Sequence, residues 1–595
     1  MANHVFRFPL RRSACTERSS LNDLLGYHLN ELLRLIIPLS GGTAVKIDGY
    51  QTLNDRSAIH HLPYETPNSS DDGNDIKNLC EPRIEYVQNL IASLLEFIEF
   101  EADGQVVNVD GFRLKRPSPW LVPAGGASDI LAAAASRCNL QCRFCYNKGT
   151  AAALRSRPRN PDDEYEEILS RIEHYVPHGR LSVLPGAASP GEFFAHPRSV
   201  DILRAVRTKT AEPLRIATNG SLLTPETIVT LREFAPLFLD VSLNSASPSR
   251  RTWLMKDNNP HIAIESLGRL AEARIPFSVV IVPWPFPSTD EMFKDLHETV
   301  VFADSNQSAF IQVSLPGYSR FFSEETLFDH DEIWNSLKSE ILRLRNFIET
   351  PLIMRPGIFE EYKDPDRAND PVAIGAVKNS PLSSAGLQRG DKIVKVNGLR
   401  VKSRSQARSL LTMLHQSSLG ESSITVERRR QITEMKIVHS DYSYPYSRES
   451  ITHLGAIFPS SGIPLDWIER LHGTIAVHRA RNVLLLSSYL VEPSIKKFIA
   501  RSTMPPGVDI RVRVPDNRFW GGNIFMGDLM VVQDFIDAVN QFIETEAERP
   551  DLVVIPSSPF HLSGWGRDLT GRPYLEIENR TGIPVALVDC SPLFD

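Results

Sequence analysis

The middle of the chain alternates between short apolar runs and amphipathic stretches. Six runs have the length and composition of β-strands: residues 130–136, 181–184, 214–217, 237–243, 277–282 and 309–315. After the first run, apolar side chains recur at the helical spacing i, i+3, i+4 and i+7: Tyr165, Ile168, Leu169 and Ile172. Pro161, followed by two aspartates, is a typical start for that helix. This alternation predicts parallel βα units, arranged as an open doubly wound sheet or as a partial barrel.

The segments around this region follow other patterns. Helix-like periodicity at residues 21–37 and 83–100 flanks a polar, turn-rich stretch at 66–75, which predicts a mostly helical N-terminal region. Residues 364–370 form a polar, proline-containing linker. The sequence therefore divides into four regions with the boundaries 1–119, 120–355, 370–440 and 441–595.

The two regions after the linker differ from each other. Residues 370–440 form a compact unit that ends in a predicted β-hairpin over 422–438, with its turn near 428–431. The last region returns to a mixed α/β pattern with four strand-like runs: residues 482–486, 509–514, 552–555 and 585–588. We therefore expect a small β domain followed by a mixed α/β domain.

Composition and charge exclude several classes of protein. With 595 residues, 42% of them hydrophobic and 23% charged, the chain has a globular composition rather than that of a disordered or fibrous protein. A net charge of −7 gives no reason to expect nucleic acid or anionic lipid as a partner. The longest apolar stretches, such as 483–491, are broken by polar side chains, and the first 20 residues lack the apolar core of a signal peptide. The sequence therefore predicts a cytoplasmic protein without a membrane span.

Cysteine usage gives the first chemical signal. Three of the six cysteines, Cys138, Cys142 and Cys145, lie in the spacing C-x3-C-x2-C directly after the first predicted strand. Three thiolates on one loop can each bind one iron of a cubane cluster and leave the fourth iron open for a ligand. A structural zinc site would need a fourth ligand, and the next histidine, His174, is on a predicted helix face. Three incidental thiols are the other alternative.

The triplet and its surroundings resemble the radical S-adenosylmethionine (SAM) superfamily. Members carry this cysteine spacing, with an aromatic residue before the last cysteine, here Phe144. After the second predicted strand, Gly191 and Glu192 are similar to the glycine-glycine-glutamate motif that holds the methionine amino group. Pro190 replaces the first glycine of that motif, and Phe193 replaces its usual proline. The resemblance covers roughly residues 120–355.

Two further motifs follow the next strands in the order found in that superfamily. Asn219 comes directly after the third predicted strand, and Ser242 and Asn244 end the fourth, where related enzymes contact the ribose of SAM. Active sites of parallel α/β folds lie at these carboxyl ends. Asn219 could equally cap the turn before the helix that starts near Thr224.

The resemblance implies a partial (β/α)6 barrel that binds a [4Fe-4S] cluster and S-adenosylmethionine. Glu192 would accept the ammonium group of SAM, and Arg250 or Arg251 would pair with its carboxylate. Alternatively, Glu192 caps the helix after the second strand, and the two arginines lie on a solvated loop. An electron donor such as flavodoxin or ferredoxin would be needed.

The region after the linker resembles a PDZ domain of the bacterial protease-like form over residues 370–440. Ile393 and Val396 would point into its small β-barrel, and Asn397-Gly398 is a hairpin turn signal. The segment upstream of Ile374 is charged and lacks a glycine loop that could bind a peptide carboxylate. Peptide binding is therefore doubtful, and a docking or spacer role within the chain is at least as well supported.

The combination of modules is similar to a poorly characterised bacterial iron–sulfur oxidoreductase family with a C-terminal domain of unknown function. In that domain the aromatic and glycine residues of 517–522 predict either a loop that reaches the barrel mouth or a structural corner. The resemblance implies an enzyme that forms the 5′-deoxyadenosyl radical and abstracts hydrogen from a small or medium-sized substrate. One alternative transfers a 3-amino-3-carboxypropyl group instead. The other is a PDZ scaffold whose cluster serves structure or sensing.

Overall fold

The computed structural model describes most of the chain after residue 134 and three short segments before it. The described residues are 6–9, 98–102, 105–108, 135–152, 158–174, 191–211, 214–363, 369–415, 420–438, 452–460, 462–464, 466–546, 548–561 and 568–588. The chain divides into two compact units, one formed by Met1–Asn74 and Glu85–Arg116 and the other by Asp75–Ile84 and Pro117–Asp595.

Nineteen strands and fourteen α-helices lie in the described part of the chain. The strands are β1 Phe6–Pro9, β2 Ile98–Ala102, β3 Gln105–Asn108, β4 Leu214–Thr218, β5 Leu237–Val241, β6 Phe277–Ile281, β7 Ile311–Ser314, β8 Leu352–Arg355, β9 Gly375–Ala376, β10 Lys392–Val396, β11 Leu399–Arg400, β12 Glu421–Arg428, β13 Gln431–Val438, β14 Thr452–His453, β15 Ala456–Ile457, β16 Asn482–Leu486, β17 Asp509–Arg513, β18 Leu552–Pro556 and β19 Val585–Val588. The helices are α1 Pro161–His174, α2 Ser199–Lys209, α3 Pro225–Leu231, α4 Pro248–Met255, α5 Pro260–Glu272, α6 Thr289–Ser305, α7 His330–Leu344, α8 Pro381–Ser384, α9 Arg404–His415, α10 Trp467–His478, α11 Glu492–Arg501, α12 Val532–Thr545, α13 Ser558–His561 and α14 Leu575–Thr581. No helix among these combines the length and the hydropathy that a membrane span requires.

The first unit contains a three-stranded sheet in the order β1-β2-β3. Strand β2 runs parallel to β1 and antiparallel to β3. The helix predicted over 83–100 is therefore wrong at its last three residues, which lie in β2. Apolar and acidic side chains alternate there with period two, the pattern of a strand. The rest of that segment, and the helix predicted over 21–37, lie outside the described residues.

The second unit is built around a five-stranded parallel sheet in the order β4-β5-β6-β7-β8. The predicted parallel α/β region is confirmed, since strands occur at four of the six apolar runs, and β8 adds one more strand. The five described strands form no closed barrel. The run at 181–184 lies outside the described residues, as does the run at 130–136 except for its last two residues, which are not in a strand.

Both faces of this sheet are covered, as is usual for parallel sheets. On one face Leu237, Leu239 and Val241 of β5 pack into the main apolar core with helices from the βα units. On the other face Phe238 of β5 packs in a smaller apolar cluster. This cluster also contains Ile374 of the PDZ-like region and Ile457 of β15. The PDZ-like region therefore lies directly against the central sheet.

The PDZ-like region contains a four-stranded sheet in the order β11-β10-β12-β13. The predicted hairpin is confirmed, with β12 and β13 joined by Arg429 and Arg430 at positive φ. Ile393 and Val396 are buried as expected. The small strand β9 pairs with β15, and Leu454, Ala456 and Phe458 belong to the same apolar core, so this core extends beyond residue 440.

The last region is a doubly wound α/β domain, which confirms the predicted mixed α/β pattern. Its four strands are parallel, in the order β17-β16-β18-β19. Alternate residues of β16 face opposite sides: Leu484 packs with α12, whereas Leu485 packs with α10 and α11. The winding direction reverses between β16 and β18, which is the topological switch point of the sheet.

Gly357, directly after β8, provides a test of how this sheet is joined to the PDZ-like region. A Cβ at Gly357 would lie 1.6 Å from the carbonyl oxygen of Pro459, so Gly357→Ala should destabilise the fold by about 1–3 kcal/mol. Gly473→Ala is the control, because Gly473 is in α10 with open space around it, and alanine should stabilise that helix by about 0.5–1 kcal/mol. Urea unfolding of both variants measures the difference. Equal stability of Gly357→Ala and wild type would contradict the close contact.

Candidate functional site

The three predicted cluster ligands lie on the loop formed by residues 135–152. Cys138 is exposed, Cys142 and Cys145 are half-buried, and all three are free thiols. The loop is anchored to the C-terminal end of α4, because the backbone N–H of Gln141 donates to Met255 O at 3.1 Å and that of Arg143 donates to Leu254 O at 2.7 Å. The position of the thiols therefore depends on α4.

The surroundings of Cys138 and Cys142 oppose the ionisation of these two thiols. Burial, together with the smaller effects of Cys145 and Cys138, raises the pKa of Cys142 to about 12, and Arg251 opposes the rise. Burial is also the main reason that the pKa of Cys138 is raised. A bound cation would reverse this preference, since metal ligation deprotonates thiols.

The donor set of the loop fits an iron–sulfur cluster. No group of three or more His, Cys, Asp or Glu side chains in the described part of the chain is placed to hold a single metal ion. A cubane cluster takes each thiolate on a different iron, so its three cysteines need not converge on one point. Cys138, Cys142 and Cys145 could hold such a cluster.

Gly191 and Glu192 lie against the base of the cysteine loop. The backbone N–H of Glu192 donates to Arg137 O at 2.7 Å. A Cβ at Gly191 would lie 2.0 Å from Ala135 O, so only glycine allows this approach. The structure thus brings the second motif into contact with the first.

The carboxylate of Glu192 is almost completely buried, with 3% of the residue exposed. It accepts hydrogen bonds from Thr218 Oγ1 at 2.7 Å, the backbone N–H of Asn219 at 2.6 Å and the backbone N–H of Phe194 at 3.3 Å. Burial raises its pKa, and these hydrogen bonds oppose the rise. The bond to Phe194 makes Glu192 the N-cap of a 3-10 turn, Phe193–Ala195, as the capping alternative expects. Its contact with SAM remains a prediction.

Asn219 links the end of β4 to the cysteine loop. Its Nδ2 donates to Asn139 Oδ1 at 2.9 Å and lies 3.8 Å from the sulfur of Cys138. Its Oδ1 accepts from the backbone N–H of Ser221 at 2.9 Å, so it also stabilises the turn. The N-cap of α3 is Thr224 and not Asn219.

Ser242 and Asn244 lie just past β5, as predicted. The Asn244 side chain is already hydrogen-bonded within the protein, whereas the Ser242 hydroxyl is not hydrogen-bonded to any described residue. Asn244 has a φ of 61°, and its Oδ1 accepts from the backbone N–H of Val282 at 2.9 Å while its Nδ2 donates to Ser242 O at 3.0 Å. These bonds hold the ends of β5 and β6 together. Ser242 is half-buried, and its hydroxyl has no hydrogen-bond partner among the described residues.

Arg250 and Arg251 lie on α4 and not on a solvated loop, so that alternative is wrong for both. Arg251 is fully buried; it donates to Asp257 Oδ2 at 2.8 Å and to Asn219 O at 2.6 Å. Arg250 donates to Trp284 O at 2.9 Å and lies 3.6 Å from the carboxylate of Asp295. The pairing of Arg250 with a SAM carboxylate stays a prediction.

Sequence reasoning missed an aromatic cluster that covers one side of the cysteine loop. Trp284 is at its centre, with ring centroids 6.4 Å from Phe144, 5.9 Å from Phe322 and 5.8 Å from Phe328. The four aromatic residues come from three loops, so no local periodicity reveals them. The density of tryptophan, phenylalanine and proline at 283–287, just after a strand, was the available signal.

The stretch at 517–522 reaches the loop that follows β7. The backbone N–H of Arg320 donates to Trp520 O at 2.7 Å. The adjacent Asn523 accepts from the backbone N–H of Tyr318 at 2.6 Å, and Ser319 Oγ donates to Gly149 O on the cysteine loop. The C-terminal domain is therefore connected to the cysteine loop through one intervening segment.

Arg251 offers the sharpest test of how the site is held together. Arg251→Met leaves the buried Asp257 without its cation and should cost about 3–5 kcal/mol of stability, part of which the double variant Arg251→Met/Asp257→Asn should restore. Arg269→Met, which breaks an exposed i, i+4 ion pair with Glu265, should change stability by about 0.5 kcal/mol or less. Denaturant unfolding compares the three variants. No recovery in the double variant would show that Asp257 is not what Arg251 neutralises.

Two family models match the chain. Residues 134–300 match the Radical SAM superfamily, and residues 373–418 match the PDZ domain. A comparison with curated proteins gives no match.

Solved structures give weaker similarities. SuiB of Streptococcus suis bound to S-adenosylmethionine is 16% identical, with a TM-score of 0.27, over 37% of this chain and 48% of that one. SuiB bound to the precursor peptide SuiA is 15% identical, with a TM-score of 0.28, over 56% and 62%. Hexahistidine-tagged anSMEcpe with bound AdoMet is 13% identical, with a TM-score of 0.28, over 39% and 60%. The chain thus spans about half to three-fifths of the length of these structures, and TM-scores this low carry no argument about activity.

The two family matches coincide with the regions in which the motifs and the fold were found. The radical SAM match contains the cysteine loop and every other predicted site residue, and the PDZ match contains β9 to α9. Radical SAM proteins are enzymes that use S-adenosylmethionine and an iron–sulfur cluster. Residues 134–300 of this chain are thus similar to the Radical SAM superfamily, and the residues that match the PDZ domain, 373–418, follow them.

Proposed function

We propose that this chain holds a [4Fe-4S] cluster on Cys138, Cys142 and Cys145 and cleaves S-adenosylmethionine reductively to start radical chemistry on a small or medium-sized substrate. The observation that carries the proposal is the meeting of three sequence-distant motifs at one end of β4. Glu192 bonds to Arg137, and Asn219 bonds both to Glu192 and to Asn139. Carboxyl ends of parallel strands are where α/β enzymes place their reactive groups.

Each motif has a distinct task in this proposal. The cysteines hold the cluster, which when bound supplies the electron that breaks a carbon–sulfur bond of SAM. Oε2 of Glu192 accepts one hydrogen bond from a described residue and so retains acceptor capacity for the SAM ammonium. The hydroxyl of Ser242, which has no hydrogen-bond partner among the described residues, would contact the ribose. The aromatic cluster around Trp284 excludes water from one side of the loop.

The electron must come from a partner, and we propose flavodoxin or ferredoxin as its source. Cys138 is the exposed member of the triplet, so the loop is open to solvent on its side. A reducing cytoplasm is the expected location, because thiols and reduced clusters persist there.

Incubation with SAM and reductant should give 5′-deoxyadenosine. 5′-Methylthioadenosine would favour 3-amino-3-carboxypropyl transfer, and neither product would favour a scaffold with a structural cluster.

We further propose that the PDZ domain docks within the chain and does not bind a peptide. In the sequence, the charged segment upstream of Ile374 argued against peptide binding. That reason does not apply, because the strand that pairs with β9 is β15, which lies downstream in the chain. The structure gives a different reason: His453 of β14 is buried against α9, with Arg408 Nε at 2.7 Å and Thr412 Oγ1 at 3.1 Å. These bonds bridge α9 and β14, and Ile457 packs on the central sheet.

The cluster assignment is tested by iron content. Anaerobically reconstituted wild type should hold about four irons per chain. The triple alanine variant of Cys138, Cys142 and Cys145 should lose them, because its ligands are gone.

The matched control uses the other three cysteines. The triple alanine variant of Cys15, Cys80 and Cys590 should keep its iron, since these cysteines are far from the triplet in sequence. Iron and sulfide are measured together with the absorbance of the cluster. Iron retained in the first variant, or lost in the second, would disprove the assignment.

The role of Glu192 is tested by Glu192→Gln. The glutamine amide is uncharged, so its hydrogen bond to the SAM ammonium would lack the contribution of the negative charge. SAM affinity should therefore fall roughly tenfold at unchanged iron content. Glu164→Gln is the matched control: Glu164 is a buried carboxylate that also supports the loop, through the backbone N–H of Ser136 at 3.0 Å.

Calorimetric titration with SAM and thermal melting distinguish the two roles of Glu192. The control should melt lower and bind SAM normally, because it lies outside the proposed ligand contact. Wild-type affinity of Glu192→Gln together with a lowered melting temperature would make Glu192 a capping residue only.

A further inference from the structure

The C-terminal domain contains a cavity that neither family match covers. Its empty space, which includes space open to solvent, is about 920 Å³. Its walls include Leu485 at the end of β16, Val554 on β18 and Val588 at the end of β19. Strands β16 and β18 flank the switch point of the sheet, the position at which doubly wound folds bind ligands.

The walls of the cavity define the chemistry of what it can hold. Most lining side chains are apolar, such as Trp467 of α10 and Met526 in the segment before α12. The polar ones are serines at the carboxyl ends of the strands, including Ser488, together with the acidic Asp528. No lysine or arginine is among the described lining residues, so the cavity has nothing to neutralise a phosphate or carboxylate.

Asp528 is the unusual member of this lining. Only 6% of the residue is exposed, and no other described residue forms an ion pair or hydrogen bond with its carboxylate. Burial raises the pKa of Asp528 to about 7, and a hydrogen bond from its own backbone opposes this. An unpaired buried carboxylate costs free energy, and a ligand that donates a hydrogen bond recovers part of that cost.

We propose that this cavity is a second ligand site, which binds an uncharged, mostly apolar small molecule that donates an N–H or O–H hydrogen bond to Asp528. Binding buries apolar surface of both the ligand and the cavity wall, and the hydrogen bond to Asp528 fixes the orientation of the ligand. The site shares no residue with the cysteine loop, and its residue from the central domain is Pro356 after β8. It therefore does not depend on the proposed cluster chemistry.

The test uses N-phenyl-1-naphthylamine, a neutral fluorescent probe with an apolar aromatic body and one N–H. Titration of the full chain should give saturable binding with a Kd in the micromolar range. Competition with 1-benzylnaphthalene, which has a similar body but no N–H, measures the contribution of the donor. Absence of saturable binding of the naphthylamine would overturn the proposal.

Three variants locate the bound probe. Val491→Trp places a larger side chain at a half-buried lining position and should weaken binding more than tenfold, whereas Val477→Trp, at an exposed position of α10, should leave it unchanged. Asp528→Leu should weaken the naphthylamine about fivefold and leave benzylnaphthalene unaffected, because it removes only the acceptor. Asp528→Leu also keeps the test valid if Val491→Trp fails to fold. Wild-type affinity of either lining variant for the naphthylamine would refute the site.

Discussion

The buried guanidinium of Arg251 is the interaction on which the candidate site depends. It lies on α4, pairs with Asp257, and donates to the backbone carbonyls of Asn219 and Leu243 at the ends of β4 and β5. The end of the same helix accepts the hydrogen bonds that hold the cysteine loop. One cation therefore fixes two strand ends and the ligand loop together. Because its charge lowers the pKa of both Cys142 and Glu192, it also favours their ionised forms, although burial has the larger, opposite effect.

A second chain of contacts runs from the C-terminal domain to the cysteine loop. Asn523 is bonded to the backbone of Tyr318, the next residue, Ser319, is bonded to Gly149, and Tyr318 packs against Phe328 in the aromatic cluster. Gly522 makes the approach possible, since a Cβ there would lie 2.1 Å from Tyr318 O. A displacement of this C-terminal segment would therefore shift the segment that covers the cysteines. These hydrogen bonds couple the C-terminal domain to the cysteine loop through residues 318 and 319.

Local patterns in the sequence predicted the features that depend on local spacing. Apolar runs located β4 to β7, and the hairpin predicted over 422–438 is that of β12 and β13. The pairing of β9 with β15 could not be predicted, because each strand has two residues and about 80 residues separate them. The burial of Arg251 could not be predicted either, because its guanidinium donates to backbone carbonyls, and any residue type can supply a backbone carbonyl. The cysteine spacing pointed to the ligands, but the contact between Gly191 and Ala135 requires the fold.

The contrast between two buried carboxylates explains why the C-terminal cavity has consequences of its own. Glu192 is surrounded by three donors from the protein, so its burial is compensated whether or not a ligand is present. Asp528 is nearly as buried, yet among the described residues only its own backbone offers it a hydrogen bond. Replacing Asp528 by an apolar residue would relieve an unfavourable burial, so packing alone gives no reason for a carboxylate there. The presence of the Asp528 carboxylate in this cavity is explained if a bound ligand donates the hydrogen bond that no other described residue provides.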